Sequence, residues 1–368
     1  MVPLKFSKLI YLLGAGASVD AQVPDFNRVW RDFEQHFGWS QKFDYLPKGN
    51  SGRALDVVWN YVRDAQLHDP SFNDFEQLCK DLHTEYDMCL KNLTETLRTD
   101  EPLLNRMRSL MRAEFSIRRR FVDLIEVDFD DLLHRGNLIE QYSAILDYAN
   151  GHAVDIFTLN NDLLVEWLCK QWRVSLADGF DDEGVMDPDT WASYRRIGLQ
   201  IRMYKLHGSI NWYRKDHNGP IAKWPSQKSI RGLFKRETAE IPLLKIPLIW
   251  PGLYDEMPEI ATWRGYLHEA LIRARCVVIA GYNLRDPVIR KIVENALSTW
   301  PKPTQRRIFI VCGSTYGKEL SEFIQKINSC GHTITVGTNS DTFKGGRFPA
   351  VLRVPEFRSQ VETALLAD

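Results

Sequence analysis

Short apolar runs that stop at a glycine or a polar residue recur along this chain. Residues 8–13 run into Gly14, Ala153–Leu159 into Asn160, Met203–Leu206 into His207, and Cys276–Ala280 into Gly281. Runs with little polar interruption predict strands buried on both faces. Ile246–Trp250, Ile308–Cys312 and Thr333–Val336 read the same way. Helical spacing appears between them. Phe26, Val29, Trp30, Phe33 and Phe37 recur at intervals of three and four, and Leu163–Lys170, Trp263–Ala274 and Glu319–Ser329 are also helical. Pro287 suits the first position of a helix reaching about Trp300, with Asp286 as its cap. Residues 214–240 are polar and basic and read as loop. Strands alternating with helices predict an α/β fold, a Rossmann-like parallel sheet with helices on both faces. In such sheets ligands bind outside the carboxyl ends of the strands.

The pattern changes after the first helix. A stretch containing Gly, Pro and Ser, about 38–53, breaks it. From about 54 to 150 there are only two prolines, Pro70 and Pro102, and almost no β-branched runs. Leu, Met and Phe recur at helical spacing among dense charge, which predicts several amphipathic helices. The expected organisation is a discontinuous Rossmann domain, 1–37 and 151–368, interrupted by a helical insertion, 38–150. Arg118-Arg119-Arg120, followed by Asp123, Glu126, Asp128, Asp130 and Asp131, reads as solvated helix faces or a partner-docking surface.

Composition narrows the function classes. The 368 residues carry 47 Lys+Arg against 48 Asp+Glu, a net charge of -1. That balance argues against a dedicated nucleic-acid or membrane-surface protein. No apolar run approaches the ~20 residues of a membrane helix. Lys5, Lys8, Leu9–Leu13 and the small residues Gly14–Ser18 imitate a signal peptide. The run is short, and the same residues read better as a strand entering a glycine turn. The six cysteines form no CxxC pair, so reduced thiols and a cytoplasmic location are expected.

Four strand ends carry candidate chemistry. In Gly14-Ala15-Gly16-Ala17-Ser18, small residues let the backbone turn tightly and approach a pyrophosphate. A third glycine is missing, with Val19 in its place. A second strand with an acidic residue ~20 positions on is missing too, which disfavours a hydride-transferring dehydrogenase. In Thr158-Leu159-Asn160-Asn161-Asp162, Asn160 can orient a water or a ribose hydroxyl and Asp162 can accept from an amide, although Asn and Asp also serve as helix caps. His207 before Gly208 can act as a general base, although a lone histidine is often structural. Ala280–Pro287 is a fourth strand end, turning at Gly281 with Asn283 beside it. The histidines show no metal-ligand spacing.

Together these segments resemble the sirtuin family. Gly14–Ser18 with Pro24-Asp25-Phe26 resembles its GAG-x-S turn and Pro-Asp-Phe loop. Thr158–Asp162 resembles its Thr-x-Asn-x-Asp motif, and Leu206-His207-Gly208 its Leu-His-Gly. Gly281 with Asn283 falls where sirtuins have a nucleotide-contacting turn. The resemblance implies that Asn160 and His207 are catalytic. It also implies that Gly14, Ala15, Gly16, Ser18, Asp25, Phe26, Thr158, Asp162, Gly208, Gly281 and Asn283 bind NAD.

The chain departs from the deacetylases in two places. Asn27 stands where they carry Arg, and the four-cysteine zinc module is absent, so no metal is expected. The version Gly281–Pro287 and the helical insertion are instead similar to zinc-free bacterial sirtuin-like NAD hydrolases of antiviral defence. That resemblance implies cleavage of the nicotinamide–ribose bond in a homo-oligomer, with depletion of NAD in abortive infection. It also implies control by a partner such as a HerA-type ATPase or a short Argonaute. An NAD- or ADP-ribose-binding regulatory subunit, or a zinc-independent deacylase or ADP-ribosyltransferase, is the alternative.

Overall fold

The computed structural model describes residues 7–24, 26–36, 75–96, 101–132, 138–148, 154–187, 200–214, 219–224, 258–301, 306–312, 317–332, 334–337, 348 and 350–366. The predicted strand Ile246–Trp250 and the candidate residue Asp25 lie outside them. Strand β1 (Leu9–Leu13) is followed by a 3-10 turn (Ala15–Ala21) and helix α1 (Phe26–His36). Helices α2 (Phe75–Thr96), α3 (Glu101–Ile125), α4 (Phe129–Leu132) and α5 (Leu138–Ser143) come next. Then follow β2 (Val154–Thr158), α6 (Leu164–Trp172), β3 (Ser175–Ala177) and β4 (Gln200–Lys205). A hairpin of β5 (Trp212–Arg214) and β6 (Ile221–Lys223) precedes α7 (Pro258–Arg273) and β7 (Cys276–Ala280). The last elements are α8 (Pro287–Ser298), β8 (Arg307–Val311), α9 (Lys318–Ser329), β9 (Ile334–Gly337) and α10 (Pro355–Leu366).

Among the described residues seven strands form one sheet in the order β3-β4-β2-β1-β7-β8-β9. Every adjacent pair is parallel. The unbroken apolar character of β1 follows from burial on both faces. Tyr11 belongs to one core with Val154, Ile156 and Val278, covered by α1, α2, α3, α6 and α10. Ile10 and Leu12 belong to a second core with Phe157, Val277 and Ile279, covered by α7, α8 and α9. Each large apolar side chain so buried contributes about 1.5–3 kcal/mol over its exposed state. Leu78 and Cys79 of α2 and Ile117, Phe121 and Val122 of α3 share the first core with the sheet. The helices between β1 and β2 therefore pack against the sheet itself. Arg120 of the basic run donates through Nε to Asp32 of α1 at 2.8 Å, so this arginine ties two helices together.

Asp286 caps α8 as its sequence predicts, accepting from the N–H groups of Val288 and Ile289. The loop expected over 214–240 contains β6, which pairs antiparallel with β5. A three-residue strand is too short to reveal a period. All six cysteines are thiols and none is in a disulfide. No helix among the described residues is long and apolar enough to cross a membrane.

Two charged devices brace the fold. Asp155 of β2 is fully buried and takes a bidentate pair from Arg202 on β4, at 2.6 Å on each oxygen. Burial pushes its carboxyl up, against the pull of Arg202. Glu294 of α8 accepts from Arg290 at 2.8 Å and from Lys326 of α9 at 2.6 Å. Burial alone would raise its carboxyl, but those two cations hold it below its ordinary value.

Arg202→Met should strand the buried Asp155 charge and cost about 3–5 kcal/mol, read as a lower denaturant midpoint. Because the folded pKa of Glu294 is depressed, its contribution is present above its unfolded pKa of about 4.3 and lost as pH falls through the folded value. Below about pH 4 the stability of the wild-type chain should therefore fall more steeply than that of Glu294→Gln in urea titrations at stepped pH.

Candidate functional site

Register across the sheet explains why four distant segments meet. Leu13 pairs with Thr158 on one side and Ala280 on the other, and Thr158 pairs with Lys205. Ala280, Leu13, Thr158 and Lys205 thus stand level at the carboxyl edge. The residues just beyond them emerge side by side: Gly281, Gly14, Asn160 and His207. The chain leaves β1 for β2 on one side, and β7 lies on the other, so the crevice falls at a topological switch point.

The floor is a backbone interlock. Gly14 N–H donates to the Ala280 carbonyl at 2.9 Å, and Gly16 N–H to the Gly281 carbonyl at 3.0 Å. Gly281 has φ +61, and a Cβ there would lie 2.1 Å from the Ala17 nitrogen. A Cβ on Gly14 would meet the Gly281 carbonyl oxygen at 2.6 Å. Only glycine permits this approach. Ala15 is half-buried and Gly16 exposed, so this stretch of backbone faces outward, while Ala17 and Ser18 turn into the interior. Tyr142 of α5 donates its hydroxyl to the Ala17 carbonyl at 2.6 Å, bracing the turn from beneath.

Asn160 is locked to that turn. Its Nδ2 donates to Ser18 Oγ at 2.8 Å, and its backbone N–H donates to Thr158 Oγ1 at 3.0 Å. The neighbouring Asn161 donates through Nδ2 to the carbonyls of His207 at 2.6 Å and Gly208 at 3.2 Å. Gly208 has φ +75, the left-handed turn that brings the chain back beside Asn161. His207 is only 5% exposed, and its Nε2 lies 2.7 Å from Asp286 Oδ2. Asp162 accepts from the Leu164 N–H through Oδ1 at 2.9 Å, while the cap position of α6 itself is Leu163, which carries no side-chain cap.

A buried ionic network supports these residues. Lys205, 1% exposed, donates to Glu166 Oε1 at 2.8 Å, to Ser209 Oγ at 2.8 Å and to the Asp162 carbonyl. Burial pushes the Glu166 carboxyl above its ordinary value, against the pull of Lys205. A cavity of about 10 Å³ lies here, lined by Ser18, Tyr142, Asn160, Asp162, Glu166 and Lys205. It has room for about one water. Among the described residues nothing pairs with Asn160 Oδ1 or Glu166 Oε2. Two buried acceptors facing one small cavity suit a water that donates to both.

The structure thus brings together Gly14, Ala15, Gly16, Ser18, Thr158, Asn160, Asp162, His207, Gly208 and Gly281. Asn283 is exposed on the loop after Gly281. Phe26 opens α1, after the turn that ends at Gln22. Asn161, Lys205 and Asp286 join the site; the motif reading names none of the three as a site residue and takes Asp286 only as a helix cap. The polar Asn-Asn-Asp run was the signal for Asn161. A lysine closing an apolar strand was the signal for Lys205. No group of His, Cys, Asp and Glu among the described residues is placed to hold a metal ion.

A family model described as a SIR2-like domain matches residues 154–330, which include Asn160, His207 and Gly281. No curated protein matches the chain. Similar solved structures include a mutant Sir2 homologue bound to ADP ribose, at 13% identity over 88% of this chain and 91% of that one, with a TM-score of 0.36. A Sir2 homologue–NAD complex is 15% identical over 88% of this chain and 89% of that one, with a TM-score of 0.36. The fold assignment here rests on the strand order and register.

Gly281→Ala should force the two backbones apart at a left-handed position. The expected cost is about 2–4 kcal/mol, from the backbone penalty and overpacking together. Thermal unfolding of the wild-type chain beside the variant would measure the stability loss.

Proposed function

We propose that the chain is an NAD⁺ hydrolase that cleaves the nicotinamide–ribose bond. The observation that carries this reading is the meeting of Asn160 and His207 around the glycine interlock at the carboxyl edge of the sheet. The outward backbone at Ala15 and Gly16 offers the close approach a pyrophosphate needs. Asp162 has lone pairs beyond the one given to Leu164 N–H and can accept from the nicotinamide carboxamide. Neutral nicotinamide leaves with the electron pair of the C–N bond, and the ribose becomes oxocarbenium-like. A water oriented by Asn160 adds to that carbon, and His207 takes the proton the water gives up. The products are nicotinamide, ADP-ribose and one proton. Asp25, Phe26 and Asn283 are assigned to the nucleotide by sequence resemblance.

The match to a SIR2-like domain over residues 154–330 supports an NAD-linked reading. The motif resemblance to antiviral sirtuin-like proteins supports a role in NAD depletion. Under that role an oligomer or partner, a HerA-type ATPase or a short Argonaute, keeps the activity in check. We divide the chain accordingly into a Rossmann domain, 1–37 and 151–368, and an insertion, 38–150.

The test is NAD⁺ consumption by the purified full chain, alone and with candidate partners. Nicotinamide and ADP-ribose should appear, and His207→Ala or Asn160→Ala should lower turnover about 10²–10⁴-fold while leaving the fold intact. Full activity in the His207 variant would overturn the assignment. Tight nucleotide binding that neither substitution alters would favour a regulatory subunit. Release of O-acyl-ADP-ribose from an acyl-peptide would favour a deacylase.

A further inference from the structure

The two oxygens of Asp286 do different jobs. Oδ1 accepts from the N–H groups of Val288 at 2.8 Å and Ile289 at 3.0 Å, closing the first turn of α8. Oδ2 lies 2.7 Å from His207 Nε2, across 79 residues of sequence. The helix therefore fixes the carboxylate plane that faces the imidazole. Asp286 is 14% exposed, so little water competes for that contact. Burial alone would raise its carboxyl, but the hydrogen bond from His207, the attraction of that ring whenever it is protonated and the two helix N–H groups bring it below its ordinary value. The loop leading to it is held under tension. Leu284, fully buried, sits at φ +55, a region that costs a branched residue strain. Such strain persists only where surrounding structure enforces it, and it clusters at functional sites.

We propose that Asp286 is a positioning residue for His207, holding the imidazole by Nε2 in the orientation and proton arrangement a general base requires. The proposal rests on the reading of His207 as the base. An ionised carboxylate only accepts, so in the neutral ring Nε2 carries the hydrogen and the lone pair resides on Nδ1. When the attacking water gives its proton to the ring, an imidazolium forms, and the Asp286 anion stabilises it without taking the proton. Helix α8 and the base are thereby joined through one side chain.

Asp286→Asn separates the two roles. Asn is as good a helix cap as Asp, so the fold should hold. Its amide would donate to Nε2, which moves the ring hydrogen to Nδ1. The expected result is a fall in kcat of about 10²–10⁴-fold, with KM for NAD⁺ changed less than about twofold, as expected when an interaction made only in the transition state is lost. Asp286→Ser keeps a cap but does not reach the ring, and should also lose kcat. Nitrogen NMR of the histidine-labelled full chain reads the ring directly: Nε2 should carry the hydrogen in the wild-type chain and Nδ1 in Asp286→Asn. Wild-type kcat in both variants, or the same protonated nitrogen in both proteins, would overturn the proposal. A wild-type chain that does not cleave NAD⁺ would count against the hydrolase reading alone, because the NMR comparison still decides the role of Asp286. If Asp286→Asn fails to fold, Asp286→Ser supplies the comparison, with loss of the Nε2 hydrogen-bond signature as its readout.

Discussion

The contact between the backbone at Gly281 and the backbone at Gly14–Ala17 is the constraint on which the rest of this edge of the molecule depends. Two strands that pair side by side normally diverge once they end. Here the chain leaving β7 turns back over the chain leaving β1 at a separation no side chain permits, and two N–H···O bonds hold it there. That closure brings Ser18 to Asn160 and aims the Gly281–Pro287 loop so that Asp286 reaches His207. Neither contact is a local preference of its own segment. Both follow from the four strand ends standing level across the sheet.

Stability and chemistry compete beneath this floor. Lys205 and Glu166 form a buried ion pair, which is seldom worth more than the apolar packing it displaces. Asn160 Oδ1 is buried without a partner among the described residues, a further expense. The compensation comes from the lower half of the sheet, where the apolar cores on both faces are continuous. The asymmetry is sensible for a protein of this architecture. The amino ends of the strands are built to hold, and the carboxyl ends tolerate polar groups because a ligand must be received there.

Most of the framework was legible from hydrophobic runs. β1, β2, β7 and β8 are unmistakable because a centrally placed parallel strand has no solvent face to vary. β3, β5 and β6 were not, since three residues cannot display a period and their pairing is decided by neighbours. Asp286 was readable as a helix cap from its place before Pro287. Its second contact, to a histidine 79 positions earlier, was invisible because it depends on strand register. Lys205 was hidden for a different reason. Lysine is rarely buried, and only the convergence of Glu166, Ser209 and the Asp162 carbonyl makes its position tenable. Asn161 looked like one more polar residue of a pocket, whereas its amide fastens the turn that carries His207.

The central strand has one more consequence, for the order in which the protein is made. β1 emerges from the ribosome early, yet both strands that flank it come much later in the chain, β2 beginning at Val154 and β7 at Cys276. A sheet whose middle strand waits for distant partners assembles late, because long loops must close before any pairing rewards them. The glycine interlock needs Gly281 itself. A nascent chain therefore has no crevice floor until most of its length has been synthesised. Truncated translation products hold the early glycine motif without the surface that gives it meaning.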